Sequence, residues 1–257
     1  MALNIREIIK LIYGYAHLHG EKVSNPADDV NAASIATCAP KDRALSPDEI
    51  QLMCRQLELA PTHPAIRLAL RLILLTLVRK SELIEATWDE VDFEAAVCTI
   101  PKARMKGRRA HNVYLSSQAL DIMIALRTYS AGSRYVLPSR YSADRCMSKA
   151  TLNRVTQLIS AQAKAAGVPL ESFTVHDLRR TGSTLLNEAG FNGDWVEKCL
   201  AHESGRSSRS IYNKAEYAEP RRHMLQEWAN MVDTWGVGER YAPVVYSLAV
   251  VMGGNGT

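Results

Sequence analysis

The chain reads as a mainly α-helical protein carrying one small antiparallel β-sheet, an α+β fold. Three observations predict this. Apolar residues recur at helical spacing along most of the 257 residues, while strand-like runs are confined to the stretch between Glu90 and Leu115. Helix-start signals such as Ser46-Pro47-Asp48-Glu49 punctuate the chain, the serine able to cap, the proline suited to the first turn and the glutamate closing a capping box. The length also suffices for a core of its own, so no disulfide scaffold is needed. The five cysteines (Cys38, Cys54, Cys98, Cys146, Cys199) are odd in number, scattered and never in C-x-x-C spacing, which suggests neither a disulfide framework nor a zinc site and fits the cytosol.

Taken in order, residues 5–20 form a helix with an apolar face of Ile5, Ile8, Ile9, Ile12 and Tyr13, broken by Asn25-Pro26-Ala27-Asp28-Asp29. This opening, residues 1–33, is too short to be a domain, and 34–45 reads as a linker. The main domain runs over 46–235. Its second helix, Pro64 to Leu77, is apolar but too short for a bilayer and interrupted by Arg67 and Arg71, so it predicts a buried helix and not a membrane span. A short helix at Ser81 to Ala86 leads into strands at Glu90–Phe93, Val97–Ile100 and His111–Leu115. Ser116 or Ser117 caps a helix to about Thr128, and an amphipathic helix covers Lys149 to Ala166. The rest is helical to Trp235, with breaks near Gly190–Asp194 and Glu203–Ser208. The tail, 236–257, holds an apolar run from Val244 to Met252. Packing on its own domain is the default expectation for it, with strand addition to a neighbouring subunit or disorder as alternatives. No basic-then-apolar leader opens the chain, so export is not expected.

The balance of 31 basic to 27 acidic residues is too even to argue for nucleic acid. Distribution says more. Lys102, Arg104, Lys106, Arg108 and Arg109 crowd into the turn between the second and third strands, followed later by Arg179 and Arg180, then Arg206, Arg209 and Lys214. Such clusters can make a phosphate-binding face, although most charge runs are solvated surface.

Chemistry concentrates in three places. Thr174-Val175-His176-Asp177-Leu178-Arg179-Arg180-Thr181-Gly182 sets His176 and Arg179 three apart on one helix face, two cationic donors suited to a phosphate oxygen. Taken alone, an H-x-x-R is better explained by a surface histidine beside a structural arginine. Thr76-Leu77-Val78-Arg79-Lys80-Ser81-Glu82-Leu83 delivers a guanidinium directly after the buried helix, with Glu82 able to orient it. An ordinary Arg–Glu pair is the plainer reading of that segment. Leu200-Ala201-His202-Glu203 is followed, ten residues after His202, by Tyr212.

Together these elements resemble the catalytic domain of the tyrosine recombinases, the phage-integrase family, and especially prophage integrases. The family order is an arginine in a T-G-x-R-x-x-E-L-like element, a hairpin lysine, an H-x-x-R helix, an L-x-H element and a nucleophilic tyrosine. All five occur here in order, over residues 40 to 235. The resemblance implies the recombinase catalytic fold, with Arg79, His176, Arg179 and His202 around a scissile DNA phosphate, Tyr212 attacking it, Lys106 protonating the departing 5′ oxygen and Glu82 in support. Lys102, Arg104, Arg108, Arg109 and Arg180 are expected on DNA. Three departures stand out. The glycine usual before the first arginine is Val78, the hairpin offers other bases with Lys102 next in line, and Tyr217 is a second tyrosine near Tyr212.

The implied chemistry needs these residue types together. Phenol attack on a phosphodiester passes through a pentacoordinate state whose equatorial oxygens gain negative charge, which fixed cationic donors stabilise without a metal. A phenol of pKa near 10 must lose its proton during attack, with His176 the expected acceptor. The 3′-phosphotyrosine conserves the bond energy, so no nucleotide cofactor is needed, and no P-loop or glycine-rich fingerprint is found. The partners implied are double-stranded DNA at specific sites, further copies of the chain in a tetrameric synapse and accessory DNA-bending proteins, in a bacterial or phage setting. Residues 1–33 resemble the end of a core-binding domain, which points to a truncated chain. Alternatives are a relaxing topoisomerase sharing this core, a non-catalytic DNA-binding remnant, and a helical regulator with a fortuitous basic hairpin.

Overall fold

The computed structural model describes residues 2–35, 43–105, 109–201 and 215–241, and the chain divides into two units, Met1–Asp42 and Arg43–Thr257. In the first, helix α1 (Ala2–Leu18) and the short α2 (Ala32–Ile35) flank a turn where Asn25 Oδ1 accepts the Ala27 N–H at 3.0 Å. Arg6 Nε donates to the Val30 carbonyl at 2.6 Å and Lys10 pairs with Asp28 at 3.1 Å, tying α1 to this turn. No residue of α1 is buried.

The second unit starts at Arg43, whose guanidinium reaches Glu49 at 2.6 Å and the Glu171 carbonyl at 3.1 Å. Helix α3 (Pro47–Leu59) opens with the capping box expected at Ser46 and Glu49. Helix α4 (Pro64–Thr76) is the centre of the unit. Its last turns, Ala69 to Thr76, are buried except at Arg71, and it packs against α5 (Lys80–Ile84), α6 (Ser117–Tyr129), α7 (Thr151–Ala165), α8 (Val175–Glu188) and α10 (Ala218–Gly236). An apolar helix too short for a bilayer is stable when other helices cover it on several sides. Among the described residues no helix is long and apolar enough to cross a membrane.

The expected sheet is present as β1 (Val91–Asp92), β2 (Val97–Ile100) and β3 (His111–Tyr114), antiparallel in the order β1-β2-β3. Val97 faces Tyr114 and Ile100 faces His111, so the basic turn leaves the sheet from Ile100 and returns at His111. A second hairpin, β4 (Pro138–Ser139) with β5 (Ser142–Cys146), was not foreseen. Its strands are short and largely polar, and lack the apolar alternation that marks a half-buried strand. Helix α9 (Gly193–Cys199) follows the expected break after α8, with Asn192 Oδ1 capping Asp194 N–H at 2.9 Å. The break expected at Glu203–Ser208 and the apolar run of the tail lie outside the described residues. Helix α10 is anchored by Trp228, fully buried, whose indole N–H donates to the Leu74 carbonyl at 2.7 Å.

How α4 ends decides the geometry of the site. Leu77 caps it in the left-handed region (φ 58°, ψ 20°), a conformation uncommon outside glycine. This corrects the expectation at Val78: the position that would favour the family's glycine is Leu77, two residues before Arg79. The leucine is held by packing, being fully buried against Gly182 of α8, where an added Cβ would lie 2.2 Å from Leu77 Cδ2. Gly182 therefore permits α8 to approach the end of α4. We expect Gly182→Ala to cost about 1–3 kcal/mol through overpacking, read as a lower urea midpoint; an unchanged midpoint would show that Leu77 can move aside at no cost.

Candidate active site

Arg79 stands at the N-cap of α5, in extended backbone just after the left-handed Leu77. The buried Glu82 carboxylate accepts both the Arg79 backbone N–H and its guanidinium Nη1, each at 2.7 Å. A charge-assisted pair of this kind locks an otherwise mobile side chain. Arg79 Nη2 continues to the Ala201 carbonyl at 3.2 Å, at the end of α9 and next in sequence to His202.

Arg179 arrives from α8. The start of this helix is set by a capping box: Thr174 Oγ accepts the Asp177 N–H at 3.3 Å, and Asp177 Oδ2 accepts the Thr174 N–H at 2.8 Å. That cap places His176, exposed, in the first turn and Arg179 one turn later, 3% exposed. Arg179 Nη1 donates to the Leu77 carbonyl and Nη2 to the Leu200 carbonyl. The two arginines thus meet on consecutive carbonyls, Leu200 and Ala201, although 100 positions separate them in the chain. Burial, and then the positive charge of Arg79, push the Arg179 pKa down to about 10, so it stays charged at neutral pH. Two like charges held this close, with one buried carboxylate beside them, form a site that an anion would relieve.

The remaining expected residues divide. Lys102 and Arg109 are exposed on the hairpin. Arg104, also expected on DNA, pairs its guanidinium with Glu90 and donates to the Glu82 carbonyl at 2.9 Å, which ties the hairpin to α5. Arg180 is half-buried and pairs with Asp177 at 3.2 Å, supporting the α8 cap. Lys106, Arg108, His202 and Tyr212 lie outside the described residues, as do Arg206, Arg209 and Lys214. Tyr217 is described, in left-handed backbone (φ 48°) at the start of α10.

Two residues escaped the sequence reading. Arg221 of α10, 1% exposed, donates to the Asn112 carbonyl of β3 at 2.7 Å. His111, the first residue of β3, lies within electrostatic reach of Arg221, Glu82 and Arg179, with a hydrogen bond to the Cys199 backbone. Burial first, and Arg221 next, push its pKa down to about 4. Nothing in the residue string marks either one, since both acquire their neighbours only when β3, α9 and α10 meet.

The profile of the phage integrase family matches residues 43–219. The chain belongs to the phage integrase family. Among its relatives, prophage integrase IntA of Escherichia coli K12 is 36% identical over 189 residues, 74% of this chain and 44% of the relative. Prophage integrase IntZ of the same strain is 32% identical over 234 residues, 91% of this chain and 56% of the relative. The chain therefore spans about half the length of these integrases. A lambda integrase fragment, solved as a dimer bound to a core site, shares the fold with a TM-score of 0.60 at 20% identity, covering 84% of this chain and 75% of that one. An integrase of the transposon Tn1549, solved with circular intermediate DNA, matches with a TM-score of 0.62 at 16% identity over 86% and 77% of the two chains.

A depressed histidine pKa makes a testable link to stability. Between its ordinary value of 6.5 and about 4, the unfolded chain takes up a proton that folded His111 refuses, so stability falls as pH falls through that window. The loss at the acid end is on the order of 3 kcal/mol. Urea midpoints measured from pH 7 to pH 4.5 should show this slope, and His111→Asn should flatten it; equal slopes in both proteins would place the titration elsewhere.

Proposed function

We propose that this chain is the catalytic portion of a site-specific DNA recombinase that cuts and rejoins strands through a 3′-phosphotyrosine. The observation that carries the reading is the convergence of Arg79 and Arg179 on the Leu200–Ala201 turn, with His202 next in the chain. Two preorganised guanidinium groups match the charge that develops on the equatorial oxygens of a phosphodiester under attack. The family membership and the ordered motif set support the remaining roles.

In this mechanism the Tyr212 phenol attacks phosphorus, its proton passing to His176, and a new phosphotyrosine bond forms as the bond to the 5′ oxygen breaks. Lys106 supplies the proton that the departing 5′ oxygen takes. A 5′-hydroxyl reverses each step, so atoms and charge balance without a nucleotide. Lys102 and Arg109, exposed on the hairpin, are proposed to contact DNA phosphates, which would give salt-sensitive binding. Double-stranded DNA at specific sites is the proposed substrate. Self-association on DNA, accessory bending proteins, a bacterial cytoplasmic setting, and residues 1–33 as the end of a core-binding domain belong to the same proposal.

A nicked suicide duplex tests the reading. A covalent adduct that disappears in Tyr212→Phe is expected, with mass spectrometry locating the attachment; no adduct at any protein concentration would favour a DNA-binding remnant, and attachment at Tyr217 would reassign the nucleophile. Supercoil loss without exchange between two sites would indicate relaxation. Among the arginines, Arg79→Ala is the cleaner variant, because Arg179→Ala also strips two buried carbonyls of their donor and so destabilises the fold. Arg79→Ala should slow cleavage roughly 100- to 1,000-fold, and cleavage at the parent rate would remove Arg79 from the phosphate.

A further inference from the structure

Three consecutive residues at the end of α9 each receive an arginine. Ala201 accepts from Arg79, Leu200 from Arg179, and Cys199 Sγ accepts from Arg221 Nε at 3.4 Å. The first two arginines belong to the phosphate site. Arg221 has no place in the chemistry, yet it is buried and satisfied in three directions. Besides Cys199 it donates through Nη1 to the Glu216 carbonyl at 3.2 Å and through Nη2 to the Asn112 carbonyl at 2.7 Å. Its guanidinium lies 4.8 Å from the centre of the Tyr114 ring, which also receives Arg222 at 4.5 Å.

The identity of these partners is informative. Cys199 is three residues before His202, Glu216 is four after Tyr212, and Asn112 is the second residue of the strand that returns from the turn carrying Lys106. Burying a guanidinium carries a desolvation cost that an apolar side chain of similar length would avoid. What the arginine adds is a rigid planar fork that fixes three backbone segments in one geometry.

We propose that Arg221 is a positioning residue: it sets the points from which residues 202–214 depart and to which they return, in register with the base of the basic hairpin. The inference rests on the recombinase reading, which is what gives His202, Tyr212 and Lys106 a shared task. Arg221 touches no reacting atom. Its effect on cleavage runs through the described ends of the segments that carry the nucleophile and the proton donor.

The test uses the full chain with Arg221→Lys, Arg221→Met and, as a control on the same helix, Arg222→Gln. Single-turnover cleavage of a nicked duplex, duplex affinity and amide hydrogen exchange of the DNA-free protein are measured for each. Arg221→Met should cleave about 100-fold more slowly, the scale of a misplacement near 1 Å, and Arg221→Lys by an intermediate factor. Affinity, set by phosphate contacts, should change by no more than about twofold. Exchange at 112–114, 199–201 and 215–217 should quicken together in the Arg221 variants and not in Arg222→Gln. Parental cleavage or parental exchange in Arg221→Lys and Arg221→Met overturns the proposal. So does a parallel fall in rate and affinity with faster exchange throughout α10, which would mean general unfolding. If Arg221→Met does not fold, Arg221→Lys decides alone. A parent chain that forms no adduct defeats the recombinase reading, while the exchange data still decide whether Arg221 holds the three segments.

Discussion

The site depends on one buried guanidinium. Arg179 reaches from the second turn of α8 to the carbonyls of Leu77 and Leu200, and can do so only because the C-terminal ends of α4 and α9 come within one side chain's length of that turn. Two local features make that possible. Leu77 turns into left-handed backbone, which ends α4, and Gly182 gives α8 room to press against it.

Electrostatics then explains why the arrangement is kept. Arg79 and Arg179 repel each other, and the nearby carboxylate of Glu82 is bound to Arg79 by two hydrogen bonds. Arg104 steadies Glu82 from behind through its carbonyl. The fold thus holds two positive charges at the end of α9, with Arg179 buried, Arg79 half-buried and both oriented by hydrogen bonds.

The basic hairpin illustrates how little charge density alone reveals. Lys102, Arg104 and Arg109 are neighbours in the chain, yet Arg104 turns inward to Glu90 and Glu82 while the other two face solvent. Arg180 likewise supports the cap of α8 through Asp177. A cation's role is set by which carboxylates the fold brings within reach, and the sequence spacing of basic residues does not contain that information. The β4–β5 hairpin was missed for a related reason, since its pairing is made by backbone groups that any sequence carries.

The residue string by itself determined the helix starts at Ser46 and at Ser116 or Ser117, the buried character of α4, the three-stranded sheet and the order of the phage-integrase motifs. Each of these is encoded locally, through capping geometry, apolar periodicity or a short spacing on one helix face. Tertiary structure alone decided that Arg79, Arg179 and Arg221 would line up on Cys199, Leu200 and Ala201, that His111 would be half-buried beside them, and that the left-handed residue would be a leucine. Those facts are contacts between segments 20 to over 100 residues apart, made by packing α4 against α8 and α10 against β3, and no local propensity carries them.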